Sequence, residues 1–168
     1  MNDNQKSEFD AHLRVGLLHK MEKHFDKNDA EYFKQLLNHE DNVIRTRAIC
    51  ILAEIGDGRV VDAISDTLEN DRDSLVRHEA AFALGQLGFT DALNALSHAI
   101  NSDPSLFVRH EAAIAMGVIG SEQGRDPLEH ALSDESQEVR ESAKIALANL
   151  DYISNMKRKG KFSRLTGG

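Results

Sequence analysis

The amino-acid sequence predicts an all-α protein built as a short stack of helical hairpins, and three observations carry that expectation. The first is composition: of 168 residues only two are proline, none is tryptophan and 5% are aromatic. This favours helices over the aromatic and β-branched strands of a sandwich. The second is self-similarity. VIRTRAICILAEIG, LVRHEAAFALGQLG, FVRHEAAIAMGVIG and EVRESAKIALANLD align without a gap on Arg45, Arg77, Arg109 and Arg140, at spacings of 32, 32 and 31 residues. The third is apolar spacing. Counted from Val76, the residues Ala80, Ala83, Leu84 and Leu87 stand at offsets of 4, 7, 8 and 11, a single stripe of an α-helix.

The elements follow in chain order. An N-terminal helical pair, about Ser7–Phe25 and Ala30–Leu37, is expected to cap one end. Each arginine helix then repeats its buried columns: Ala48, Ala80, Ala112 and Ala143, followed by Leu52, Leu84, Met116 and Leu147. Gly56-Asp57-Gly58, Gly88-Phe89-Thr90-Asp91 and Gly120-Ser121-Glu122 are turn signals. After them VVDAISDTLEN, ALNALSHAI and DPLEHALS each supply a second amphipathic helix of two to three turns. Two helices in one such unit cannot bury their own apolar faces, so the units must stack on one another. The expected architecture is a short α-solenoid of HEAT-like helical hairpin repeats. Residues 1–156 are expected to form one repeat domain, with the cap at about 7–38 and the repeats at about 39–154.

Charge and cysteine content narrow the function classes. The net charge is −8, with 20 Lys plus Arg against 28 Asp plus Glu, and the mean hydropathy of −0.44 describes a soluble chain rather than a membrane span. Residues 157–168, KRKGKFSRLTGG, hold five basic side chains and no acid. The rest of the chain therefore sets 15 basic against 28 acidic side chains, a net −13. An acidic body repels phosphate, which argues against nucleic-acid and anionic-membrane partners and suits a cationic one. The basic tail is expected to be a flexible appendage. A single cysteine, Cys50, allows no internal disulfide, and the N-terminal residues resemble no secretory signal, so the cytoplasm is the expected compartment.

Repeats provide an internal control, because columns that serve stacking recur in every copy. Directly after the shared arginine the copies carry Thr46-Arg47, His78-Glu79, His110-Glu111 and Glu141-Ser142. Only the two central copies have His-Glu. Both positions fall off the apolar stripe, so the pairs are expected to face away from the core. Adjacent helices in such a stack lie roughly 8–10 Å apart, close enough for His78 and His110 to share one metal ion. Two imidazoles and two carboxylates are a mixed donor set suited to iron, manganese or zinc. Seven residues after each histidine stands a helix-interior glycine, Gly85 or Gly117, where the flanking copies have Ala53 and Ala148. Such a glycine costs roughly 0.5–1 kcal/mol. It is expected to clear space for a ligand or for another helix. His39-Glu40, Glu129-His130 and the remaining histidines are read as incidental.

At VRHEAAFALGQLG and VRHEAAIAMGVIG the sequence resembles the deoxyhypusine hydroxylase family, HEAT-repeat di-iron monooxygenases built from two similar halves. RTRAICILAEIG looks like the first repeat of a half and EVRESAKIALANLDY like the last, so the resemblance covers about residues 39–154. The family carries four His-Glu motifs in one chain, and this chain carries two. The resemblance implies that His78 and His110 of one subunit and Glu79 of a second hold one iron. The symmetric set would hold the other, giving two iron ions per homodimer. Glu111 is implied to be a further metal-site carboxylate and the catalytic partner of the substrate ammonium. It also implies O2 as co-substrate and a deoxyhypusine-bearing translation factor as protein substrate. Two alternatives remain open at this point: a non-catalytic HEAT-repeat protein-interaction scaffold and a phycobilin-lyase-like HEAT module.

Overall fold

The structure, a computed structural model, describes residues 3–159. These form nine α-helices and no strand: α1 (Asp3–Phe25), α2 (Ala30–Leu36), α3 (Asn42–Ile55), α4 (Val61–Asn70), α5 (Ser74–Leu87), α6 (Leu93–Ser102), α7 (Leu106–Ile119), α8 (Arg125–Ala131) and α9 (Gln137–Arg158). The helical solenoid expected from the repeats is therefore what forms. The arginine helices α3, α5, α7 and α9 stack side by side as one layer, and α4, α6 and α8 line up as the second. Tight pairing joins α2 to α3, α4 to α5, α6 to α7 and α8 to α9. The packed hairpin thus begins one helix before the arginine that marks the sequence repeat. The core lies between the layers, with Ile44, Ile64, Leu84, Leu96, Met116 and Leu128 among its fully buried side chains.

Local chemistry starts and stops these helices. Asp41 and Asp73 accept the backbone N–H of Val43 and Leu75 at 2.9 Å each, so α3 and α5 begin on capping carboxylates. At the other end Gly88 and Gly120 adopt left-handed φ values of 74° and 67°, closing α5 and α7 at a conformation that a side chain disfavours. Helix α9 continues through Lys157 to Arg158, so the first residues of the expected basic tail are helical. Residues 160–168 of that tail lie outside the described residues.

The shared arginines form a ladder between repeats. Arg45 grips Asp71 with two bonds of 2.7 and 2.9 Å, Arg77 grips Asp103 at 2.7 and 2.9 Å, and Arg109 grips Asp134 at 2.8 and 3.0 Å. The remaining guanidinium nitrogen donates to a carbonyl of the loop entering its own helix, as Arg109 does to Asp103 at 3.0 Å. Each aspartate also accepts a backbone N–H two residues on, from Asp73, Ser105 and Ser136 respectively. A planar five-donor fork meets these demands and a lysine cannot, which explains the arginine of the first three copies. Arg140 makes only the carbonyl half of the pattern, to Asp134 and Glu135.

Asp134 titrates against this frame. Burial raises its carboxyl, but the Arg109 bonds, the Ser136 N–H and the nearby positive charge outweigh it, so the group ionises below the usual aspartate range. A depressed native value means stability present above about pH 4 and lost as pH falls through the native value. Asp134→Asn should lower stability at neutral pH by about 1–3 kcal/mol. It should also flatten the acid limb below about pH 4, as followed by circular dichroism during an acid titration.

The helix-interior glycines serve stacking. A Cβ on Gly85 would lie 2.9 Å from both Cα and Cβ of Ala115 on α7, and one on Gly117 would lie 2.8 Å from the same atoms of Ala146 on α9. The visitor expected beside each histidine is therefore the neighbouring helix. Gly117→Ala should gain helix preference of up to ~1 kcal/mol. It should lose more, about 1–3 kcal/mol, by forcing α7 off α9. A lower urea midpoint is the measurable result.

Candidate metal centre

His78 and Glu79 stand on α5, and His110 and Glu111 stand one repeat on, on α7. Close approach of the arginine helices lets each group reach the next one. His78 Nε2 lies 3.5 Å from Glu111 Oε2. His110 Nδ1 lies 2.7 Å from Ser142 Oγ on α9, whose hydroxyl also stands 2.9 Å from the Glu138 carbonyl. Glu79 Oε1 accepts the thiol of Cys50 on α3 at 3.1 Å. The four motif residues thus run as a row across the layer, held at one end by Cys50 and at the other by Ser142.

Two expectations need correction. Glu111 does not face away from the protein: it is 8% exposed, because the position two after the arginine turns into the seam between stacked helices. His78 leans into that seam while its side chain stays 36% exposed, whereas Glu79 and His110 are half-buried. Nor do the two imidazoles of one chain turn toward a common point. His78 is directed at α7 and His110 at α9. Among the described residues no three His, Cys, Asp or Glu side chains are grouped so as to hold a metal ion.

Burial pushes the Glu111 carboxyl above the usual glutamate range, with Glu79 adding to the shift and His78 and His110 opposing it. All four motif residues therefore share one electrostatic neighbourhood. Burial, and then the facing Glu79 carboxylate, push the Cys50 thiol up to about 11, which keeps it a neutral donor rather than a thiolate.

The row sits beside an apolar surface. Phe82 and Ile114 lie one turn beyond His78 and His110, and with Val118, Ile145 and Tyr152 they remain exposed on α5, α7 and α9. Between α7 and α9 an open groove of about 400 Å³ passes Ile114, Val118, Ser142, Ile145 and Tyr152. Scattered exposed apolar residues are ordinary, so what sets this surface apart is that Ile114, Val118, Ile145 and Tyr152 line one groove beside Ser142.

Cys50 and Ser142 are the groups that the motif analysis missed. Their signal lies in the columns. Cys50 is the one polar residue in the column of Phe82, Ile114 and Ile145, and Ser142 is the one hydroxyl in the column of Arg47, Glu79 and Glu111. Of the histidines read as incidental, His39 Nδ1 accepts the Asp41 N–H at 3.0 Å, and His130 Nδ1 meets Asn101 Oδ1 at 2.8 Å.

The family model for HEAT repeats matches residues 23–83 and 61–148, most of the chain. The protein belongs to the HEAT-repeat family. Among solved structures, this HEAT-repeat chain is similar to human deoxyhypusine hydroxylase in complex with glycerol, at 27% identity and a TM-score of 0.70. The likeness covers 80% of this chain and 46% of that one, so the HEAT-repeat chain spans about half the enzyme's length. An engineered protein is also similar, at 25% identity and a TM-score of 0.52, over 80% of this chain and 69% of its own. No curated protein matches the sequence.

Proposed function

We propose that this HEAT-repeat protein is an O2-dependent iron hydroxylase resembling deoxyhypusine hydroxylase, with its metal site completed by a second copy of the chain. The observation that carries the reading is the likeness to half of that enzyme, combined with two in-register His-Glu pairs that stacking does not require. The donor chemistry fits iron: two imidazoles and carboxylates, with Cys50 held as a neutral thiol directed at Glu79 and not at an open site. The described residues of one chain group no three ligands, so this reading needs Glu79 of a second copy to meet His78 and His110, and His78 to turn from Glu111 toward His110. Iron bound there would supply O2 activation and transfer of one oxygen atom to a C–H bond, with an external two-electron reductant and two protons taking the other oxygen to water.

The remaining residues bind, orient and exclude water. Glu111, buried in the seam, offers an acceptor to the ammonium end of a long amine side chain, and such a cation relieves the cost of its buried charge. Phe82, Ile114, Val118, Ile145 and Tyr152 cover the approach when two copies face each other in an isologous pair. The substrate in this reading is a deoxyhypusine-bearing translation factor, met in the cytoplasm.

Metal analysis and solution mass test the proposal together. A dimer carrying about one iron per subunit is expected. No metal overturns it and leaves a non-catalytic HEAT scaffold, zinc alone overturns the iron chemistry, and a fully loaded monomer overturns the site shared between two copies. Co-expression with the substrate factor should then add the mass of one oxygen atom to that factor.

A further inference from the structure

The row is asymmetric. Position by position, His78 and His110 occupy the same site in successive repeats, and each reaches the residue two after the arginine of the next helix. For His78 that residue is Glu111, approached through Nε2 at 3.5 Å. For His110 it is Ser142, approached through Nδ1 at 2.7 Å. Ser142 belongs to a repeat with no His-Glu motif, and it is 3% exposed, so water does not compete for its hydroxyl. A hydroxyl has one proton to give. Ser142 gives it to the Glu138 carbonyl one turn back, at 2.9 Å, and its lone pair is then the acceptor that faces the ring.

We infer that Ser142 is a positioning residue that holds His110 as its Nδ1-protonated tautomer and so leaves Nε2 as a free donor for metal. A neutral imidazole carries one N–H, so fixing it at Nδ1 leaves the lone pair at Nε2. Ligating histidines elsewhere gain orientation from such an outer bond on the other nitrogen. The consequence is a division of labour: His110 is preset, whereas His78 must leave Glu111 before it can ligate. The flanking fourth repeat thereby serves the motif it lacks. This inference rests on the metal-site reading above, but its first readout is made on metal-free protein and stands apart from it.

Nitrogen-15 NMR of the histidine rings at about pH 8, where imidazoles are neutral, reads the tautomer directly. His110, assigned by loss of its signals in His110→Asn, should show protonated Nδ1 and unprotonated Nε2. Ser142→Ala should shift it toward the Nε2-protonated form, and Ser142→Thr, which keeps the hydroxyl, should restore the wild-type pattern. Circular dichroism of both variants should match the wild type. Nε2 protonation in the wild type, or an unchanged pattern in Ser142→Ala, overturns the inference. Ferrous iron titrated anaerobically supplies the second readout, with affinity about 10–100-fold weaker in Ser142→Ala. Equal affinity in the two proteins also overturns it. Failure of the wild type to bind iron sinks the proposed function while leaving the tautomer result to be judged by itself.

Discussion

Arg109→Ala is expected to lower stability by about 3–5 kcal/mol, the range found when one partner of a buried ion pair is removed. The domain as a whole has on the order of 5–15 kcal/mol, so the variant should populate unfolded chains at moderate temperature. The size of the effect follows from what is left behind. Asp134 would lose a two-bond partner while its own side chain is 11% exposed, and the Asp103 carbonyl would lose its donor. Arg109 also joins the loop before α7 to the loop before α9, so its loss uncouples two repeats rather than one side chain. A urea melt should show a lower midpoint. Arg109→Lys should fall in between, since an ammonium keeps the charge but cannot fork. Arg59→Ala is the control: Arg59 pairs with Asp57 on the open surface, with side chains 87% and 55% exposed, and should leave the midpoint unchanged.

That ladder shows why the fold was legible in the sequence and part of the site was not. Arg45, Arg77, Arg109 and Arg140 announce themselves by recurrence, and the apolar columns behind them give the helices and their buried stripe. Their aspartate partners Asp71, Asp103 and Asp134 also recur in one column, six residues before the next arginine, but recurrence alone does not say that each carboxylate closes on the arginine 25 or 26 residues upstream rather than on the nearer one. The site has the same limit. His-Glu stands out because two copies have it and two lack it. The depth of Glu111 depends on how closely α5 and α7 approach, which Gly85 sets against Ala115, and a single-helix projection carries no such information. Projection placed Glu111 on an outer face. In the stack that face becomes a seam. Cys50 and Ser142 escaped for a related reason: each acts on a motif in the adjacent copy, so neither is remarkable within its own repeat.

Complementation between two inactive variants should separate a shared metal site from one housed in a single chain. Glu79→Ala keeps both histidines but takes away the carboxylate that a shared site would draw from the partner. His78→Ala/His110→Ala keeps that carboxylate but takes away both imidazoles. Each variant alone should lose iron, because both sites of its homodimer lack at least one ligand. Mixed by unfolding and refolding together, half of the dimers should be hybrids, and each hybrid has one complete set and one doubly defective set. Iron in the mixture should therefore recover to about a quarter of the wild-type content, a value fixed by two-fold symmetry. A site contained within one chain predicts no recovery at any mixing ratio. The variants should also remain folded, since none of the three residues belongs to the arginine ladder or to the fully buried core. Recovery would place Glu79 across the interface from the histidines, and it would make the two-motif chain a half-enzyme that finds its other half in a second copy.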